Sequence, residues 1–208
     1  MLHGDGVTDA ATRAEEIAAE TGAVVIHPYD DDMIIAGQGT AALEILADQP
    51  NIDTLVIPIG GGGLIAGCAV AAKHINPAIE IVVVEAEMYP SIHDAAFSGT
   101  GRRTGGYFIA DGISVKSPGE RTLPVVKEHV ARIEIVREDE IENAIHMLAE
   151  IEKQVVEGSG AVALAAVLSN RDAFAGKRTA LIISGGNIDT RLLSSVLMRG
   201  LVRSGRLI

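Results

Sequence analysis

The sequence predicts an α/β protein, a three-layer αβα arrangement around a mostly parallel, doubly wound sheet, on three observations. Residues 55–59, 81–84 and 180–183 are unbroken apolar, β-rich runs without polar alternation. That is the pattern of strands covered on both faces, as in a parallel sheet. Segments with the 3.6-residue apolar period of helices lie between these runs. Hydrophobic residues make up 48% of the chain and aromatics only 3%, so its core must be built from aliphatic side chains.

Taken in order, the chain opens with a predicted helix over 10–20, started by Thr8 and Asp9 and stopped by Gly22. Residues 23–26 read as a short strand, and His27, Pro28 and the aspartates 30–32 as a turn. A second helix is predicted over 33–47, weakened near Gly37 and Gly39, and Gln38 and Thr40 are taken as hinge-region structure. Strand 55–59, four glycines and helix 64–74 follow, then strand 81–84. Periodicity disappears between Tyr89 and Glu120, where glycine is frequent. Residues 132–136 alternate polar and apolar, which predicts an edge strand with one solvated face. In 138–156 the spacing of Ile141, Ile145, Leu148 and Val155 predicts a helix with one apolar stripe. Residues 161–168 are apolar all round, so that helix is expected to be buried.

Bulk properties narrow the function classes. The net charge of −11, with basic residues scattered except for Arg102-Arg103 and Lys177-Arg178, leaves no stripe for a nucleic-acid backbone. Residues 54–72 form an uncharged run of nineteen. Pro58 and four consecutive glycines would break a spanning helix there, so no membrane segment is expected. The single cysteine, Cys68, forms no internal disulfide and sits among alanines, as an inert core thiol would. Met1-Leu2-His3-Gly4-Asp5-Gly6 has neither a basic nor an apolar region, so no signal peptide is read and a cytoplasmic location is expected.

The strongest chemical signal is Gly60-Gly61-Gly62-Gly63-Leu64, placed between a strand and a helix. Glycines let the backbone approach a ligand closely, and the N–H groups of the loop and helix start converge on an anion, aided by the helix dipole. Which phosphate this is stays open on the loop alone. Gly61, Gly63 and Ala66 also fit G-x-G-x-x-A, with Glu85 where a ribose-binding acid would sit, so a dinucleotide-binding oxidoreductase domain is a rival. A non-catalytic ligand-binding paralogue is a third reading. A nucleoside-triphosphate loop, G-x-x-x-x-G-K-[ST], is absent. The second signal is Ser184-Gly185-Gly186-Asn187 at a strand end, where its hydroxyl can share a crevice with the glycine loop.

Four motifs in order, Ile59-Gly60-Gly61-Gly62-Gly63-Leu64-Ile65-Ala66-Gly67, Ala110-Asp111-Gly112-Ile113, Val156-Glu157-Gly158-Ser159-Gly160-Ala161 and Ser184-Gly185-Gly186-Asn187, resemble those of the threonine/serine dehydratases. These are pyridoxal 5′-phosphate (PLP) enzymes of fold type II, the tryptophan synthase β-like fold. The resemblance, which also takes in His27-Pro28-Tyr29-Asp30-Asp31 and Ile35-Ala36-Gly37-Gln38-Gly39-Thr40, covers essentially the whole chain. It implies that Gly60, Gly61, Gly62, Gly63 and Leu64 hold the cofactor phosphate, that Ser184 donates to the pyridine nitrogen, and that Gly112 lies beside the ring with Glu157 near it. It implies loss of the β-hydroxyl from threonine or serine, giving ammonia and a 2-oxo acid. Residues 1–33 would end a smaller domain and 34–208 belong to the larger, PLP-binding one, the whole being truncated at its N-terminus. Some relatives place a divalent cation on a glutamate at the position of Glu85 and an acid six residues later, but here that later position is Ser91.

The family's Schiff-base lysine belongs to a Ser-x-Phe-Lys motif that this chain lacks. Lys73, Lys116, Lys127, Lys153 and Lys177 are its lysines, and none follows a phenylalanine. The Ser-x-Gly-Asn-His segment that grips the substrate carboxylate is absent too. No catalytic residue is therefore assigned, and the chain alone is expected to have no dehydratase activity. A homo-oligomer or association with the missing N-terminal half is expected.

Overall fold

The computed structural model describes residues 3–4, 7–97, 108–115 and 117–207. The opening Met1-Leu2 and Asp5-Gly6, the Arg102-Arg103 pair and Lys116 lie outside the described residues. Among the described residues four strands form one all-parallel sheet: β1 (Thr54–Pro58), β2 (Glu80–Ala86), β3 (Arg132–Val136) and β4 (Thr179–Leu181), in the order β3-β2-β1-β4. β1 is buried along its whole length, whereas β3, the predicted edge strand, is half-buried along most of its length and does lie at an edge. No helix among the described residues is long and apolar enough to cross a membrane, and the uncharged run resolves into strand, loop and helix.

Side chains of the sheet alternate between two cores. Leu55, Ile57, Ile59, Ile81 and Val83 pack with α2 (Asp32–Asp48), α3 (Gly63–Ile75) and Val126 of α5 (Thr122–His129). Val56, Val82, Val84 and Ala86 face α6 (Glu138–Met147), α7 (Gly158–Ser169) and Val196 of α9 (Thr190–Arg203). These are the predicted three layers, and the apolar α7 is buried as its composition requires. Asp31 caps α2 by accepting from the N–H groups of Met33 and Ile34 at 2.9 and 3.2 Å. Gly39 does not break that helix. A Cβ on the facing Gly67 would stand 2.5 Å from Gly39 N and 2.1 Å from Ile35 O, so bare backbones let α2 and α3 touch.

Two elements differ from expectation. Residues 23–26 are not a strand: Val24 is 87% exposed and no neighbouring strand lies beside the run among the described residues, so its β-propensity has no ladder to join. The helix predicted over 138–156 stops early. α6 passes into a π-helical turn, Leu148–Glu152, which ends on Lys153 at φ 59°. Gln154 N donates to Leu148 O at 3.1 Å. Ile141, Ile145 and Leu148 are buried as a stripe, but the wider turn throws Val155 off it, leaving it 59% exposed. The helix over 10–20 is present as α1 (Val7–Thr21), and Gly39 is the first buried residue among those whose exposure is described. The expected boundary at 33/34 falls in the first turn of α2. Helices α4 (Ser91–Phe97), α5 and α9 lie in stretches where no helix is predicted, and so does the short α8 (Arg171–Phe174).

Candidate functional site

Because β4 runs parallel to β1 and beside it, the turns that follow the two strands open on the same sheet end. After β1, Ile59 N donates to Val84 O at 3.0 Å, and the chain then leaves the sheet through the glycines. Gly62 caps α3 at φ 98°, a left-handed conformation that costs a residue with a Cβ roughly 1–2 kcal/mol. The first helical bond is Ala66 N to Gly62 O at 2.9 Å. Upstream of it, the N–H groups of Gly60, Gly61, Gly62, Gly63 and Leu64 donate to no acceptor among the described residues. Such largely buried, unused donors at the positive end of a helix dipole require a partner from outside the protein, and an anion is the partner they suit.

The residues that carry them line a cavity of about 310 Å³. All the residues expected to hold the cofactor line it: Gly60, Gly61, Gly62, Gly63, Leu64, Gly112, Glu157 and Ser184. Ser184 stands exposed at the rim, three residues after the end of β4. Glu157 caps α7, and its N–H donates to Gly185 O at 3.1 Å, which ties the start of α7 to the Ser184 turn. Burial, and secondarily the neighbouring Asp111, pushes the Glu157 carboxyl above the usual carboxylate range. Glu157 also borders an adjoining hollow of about 430 Å³ that contains Tyr89, Phe108, Asp111 and Asn187.

Two lining residues carry roles that motif reading missed. Ser159 is 5% exposed, and its Oγ has no hydrogen-bond partner among the described residues. A Cβ on Gly112 would lie 2.8 Å from that oxygen. Tyr29 lays its ring against Gly61, with ring carbons 2.4 Å from where a Cβ would stand. Burial, with help from Asp30, raises the Tyr29 phenol above its usual range. A buried hydroxyl without a partner among the described residues and a row of free N–H donors fit a phosphorylated heteroaromatic such as PLP.

Other candidates are engaged elsewhere. Glu85 is buried, and its oxygens accept from Ile92 N and His93 N at 2.8 Å each, so its carboxylate caps the start of α4. In that position it offers nothing to a ribose, and no group of three or more His, Cys, Asp or Glu that could hold a metal occurs among the described residues. Cys68 Sγ lies 3.4 Å from Gln38 O, and burial pushes the thiol up to about 11. Lys73 donates to Pro77 O and Ile79 O, Lys153 to Glu150 O, and Lys177 to Glu80 at 2.6 Å. No lysine among the described residues lines the cavity.

Comparison with known proteins agrees with this geometry. The sequence model of the family described as pyridoxal-phosphate dependent enzyme matches residues 1–185. The chain is 44% identical to an L-threonine ammonia-lyase of Thermotoga maritima over 207 residues, which is 99% of this chain and 51% of that protein. It is 45% identical to the catabolic L-threonine dehydratase TdcB of Escherichia coli, over 94% of this chain and 60% of that one. The chain thus spans about half to three fifths of the length of these relatives. Among solved structures, maize serine racemase superposes with a TM-score of 0.85 at 36% identity, covering 96% of this chain and 63% of that one. A threonine deaminase from T.th. does so with 0.82 at 38%, covering 91% and 63%. These matches run through the motifs that line the cavity, and the chain belongs to the pyridoxal-phosphate dependent enzymes.

Proposed function

We propose that this chain is the cofactor-holding portion of a threonine/serine dehydratase, and that turnover needs a lysine which it does not itself supply. The observation that carries the reading is the row of N–H donors from Gly60 to Leu64, at the edge of a cavity where Ser159 also stands; none of these groups has a partner among the described residues. When bound, PLP supplies an electron sink that lets the substrate lose its β-hydroxyl. The N–H groups of Gly60, Gly61, Gly62, Gly63 and Leu64 would neutralise and orient the phosphate. Ser184 would donate its hydroxyl proton to the ring nitrogen. A neutral partner would keep that nitrogen less protonated than a carboxylate would, which suits elimination of the β-hydroxyl. Gly112 would leave room beside the ring. Glu157, with its raised carboxyl, would retain a proton further toward neutrality than an exposed glutamate and could hold it at the ring edge.

The amino-acid substrate, threonine or serine, would complete its site with groups from a second polypeptide or a further portion of a longer one, as would a homo-oligomer. The test is an assay for 2-oxobutanoate with purified chain, PLP and L-threonine. It is run with and without a polypeptide carrying the Ser-x-Phe-Lys segment of a relative. Product is expected only with that polypeptide present. Steady turnover by the chain alone contradicts the proposal.

A further inference from the structure

We infer that Thr122, which belongs to none of the glycine or serine motifs, is the positioning residue that sets which way the anion-binding loop presents its dipoles. This rests on the loop's holding a phosphate, as proposed above. Thr122 is the first residue of α5 and fully buried. Its hydroxyl donates to Gly61 O at 2.7 Å across 61 residues of sequence. Gly119 N donates to the same carbonyl at 3.3 Å. The hydroxyl has one proton, and Gly119 O, at 3.3 Å, is the poorer of its two acceptors.

The consequence follows from the peptide plane. No peptide bond among the described residues is cis, and in a trans peptide the N–H points opposite to the C=O. Fixing the Gly61 carbonyl toward Thr122 therefore directs the Gly62 N–H the other way, toward the cavity. A Gly–Gly peptide has little intrinsic preference for either orientation, since neither residue has a Cβ to restrict it. If it flipped, a carbonyl oxygen would replace an N–H opposite the anion and repel it. The Thr122 hydroxyl, which makes the shorter of the two bonds to the Gly61 carbonyl, thus favours an attractive over a repulsive dipole at one position of the cradle.

The anchor is itself anchored. Asp30 accepts from Glu120 N at 3.0 Å and Arg121 N at 2.9 Å, which fastens the turn that carries Thr122 to the segment carrying Tyr29. The loop is held by the Tyr29 ring on one side and by the Thr122 hydroxyl on another.

The test uses calorimetric titration with pyridoxine 5′-phosphate and with pyridoxine. Both lack the aldehyde, so neither can attach to surface lysines. Wild type is expected to prefer the phosphate ester. Thr122→Val keeps the shape and removes the hydroxyl, and it should weaken the phosphate ester about tenfold, as losing one buried hydrogen bond does, with pyridoxine unchanged. Thr122→Ser should restore the wild-type preference. If Thr122→Val does not fold, Thr122→Cys, a weaker donor, should show the same selective loss. An unaltered preference in the folded hydroxyl-deleted variant overturns the role of Thr122 and leaves the cradle standing. A wild-type chain that does not distinguish the two ligands overturns the cradle and this inference together.

Discussion

Replacing Glu85 by Gln is expected to change the pH dependence of stability in a predictable direction. The Glu85 carboxyl is 1% exposed and accepts two N–H bonds at 2.8 Å from the start of α4. Burial nevertheless dominates and pushes its pKa from the usual 4.5 up to about 7. Between these two values the unfolded chain gives up its proton while the folded chain keeps it. Raising the pH through that window therefore favours unfolding. At about 1.4 kcal/mol per pH unit the whole displacement amounts to about 3 kcal/mol, and about 2 kcal/mol of it falls between pH 5.5 and 8. Glu85→Gln approximates the protonated carboxyl and does not titrate. Urea unfolding of both proteins at pH 5.5 and 8 cancels the other carboxylates, and the variant should gain about 2 kcal/mol on wild type between the two. A difference that stays constant with pH, or moves toward wild type, would refute the argument that burial outweighs the two N–H bonds.

Two further outcomes follow from the core. Cys68, with its thiol pushed up to about 11, should resist a disulfide-forming reagent at pH 8 in the folded chain and react fully in urea; rapid labelling without urea contradicts its placement between α2 and α3. Ile57→Ala, at a fully buried position in the middle of β1, should cost roughly 2–5 kcal/mol by urea unfolding, and a loss under about 1 kcal/mol contradicts a central β1.

Much of this fold is legible in the sequence because its signals are local. The apolar runs of β1 and β2 can only be strands covered on both faces, and the alternation in β3 marks a strand with one wet face. The failures arise where distant partners decide. Val24 and its neighbours have strand-like residues but no neighbouring strand, and the register of 138–156 is lost where a single π turn inserts. α5 carries Pro124 in its first turn, which reads as a loop although proline is tolerated there. α9 has a readable signal in Asp189, whose carboxylate caps it by accepting from Arg191 N and Leu192 N. The candidate site divides the same way. Glycines in a row, and a serine at a strand end, announce themselves. Ser159 stands inside one of the motifs, yet only the packing leaves its hydroxyl without a partner among the described residues, and Thr122 meets Gly61 only because α5 packs against α3.

The central claim, that bare backbone amides at the start of α3 grip the cofactor's phosphate, is tested most directly by amide NMR of the isotope-labelled chain titrated with pyridoxine 5′-phosphate. Large downfield shifts are predicted for the N–H signals of Gly60 to Leu64, with pyridoxine alone leaving them in place. Signals that stay unmoved at saturation, or shifts confined to residues away from the cavity, would contradict the account.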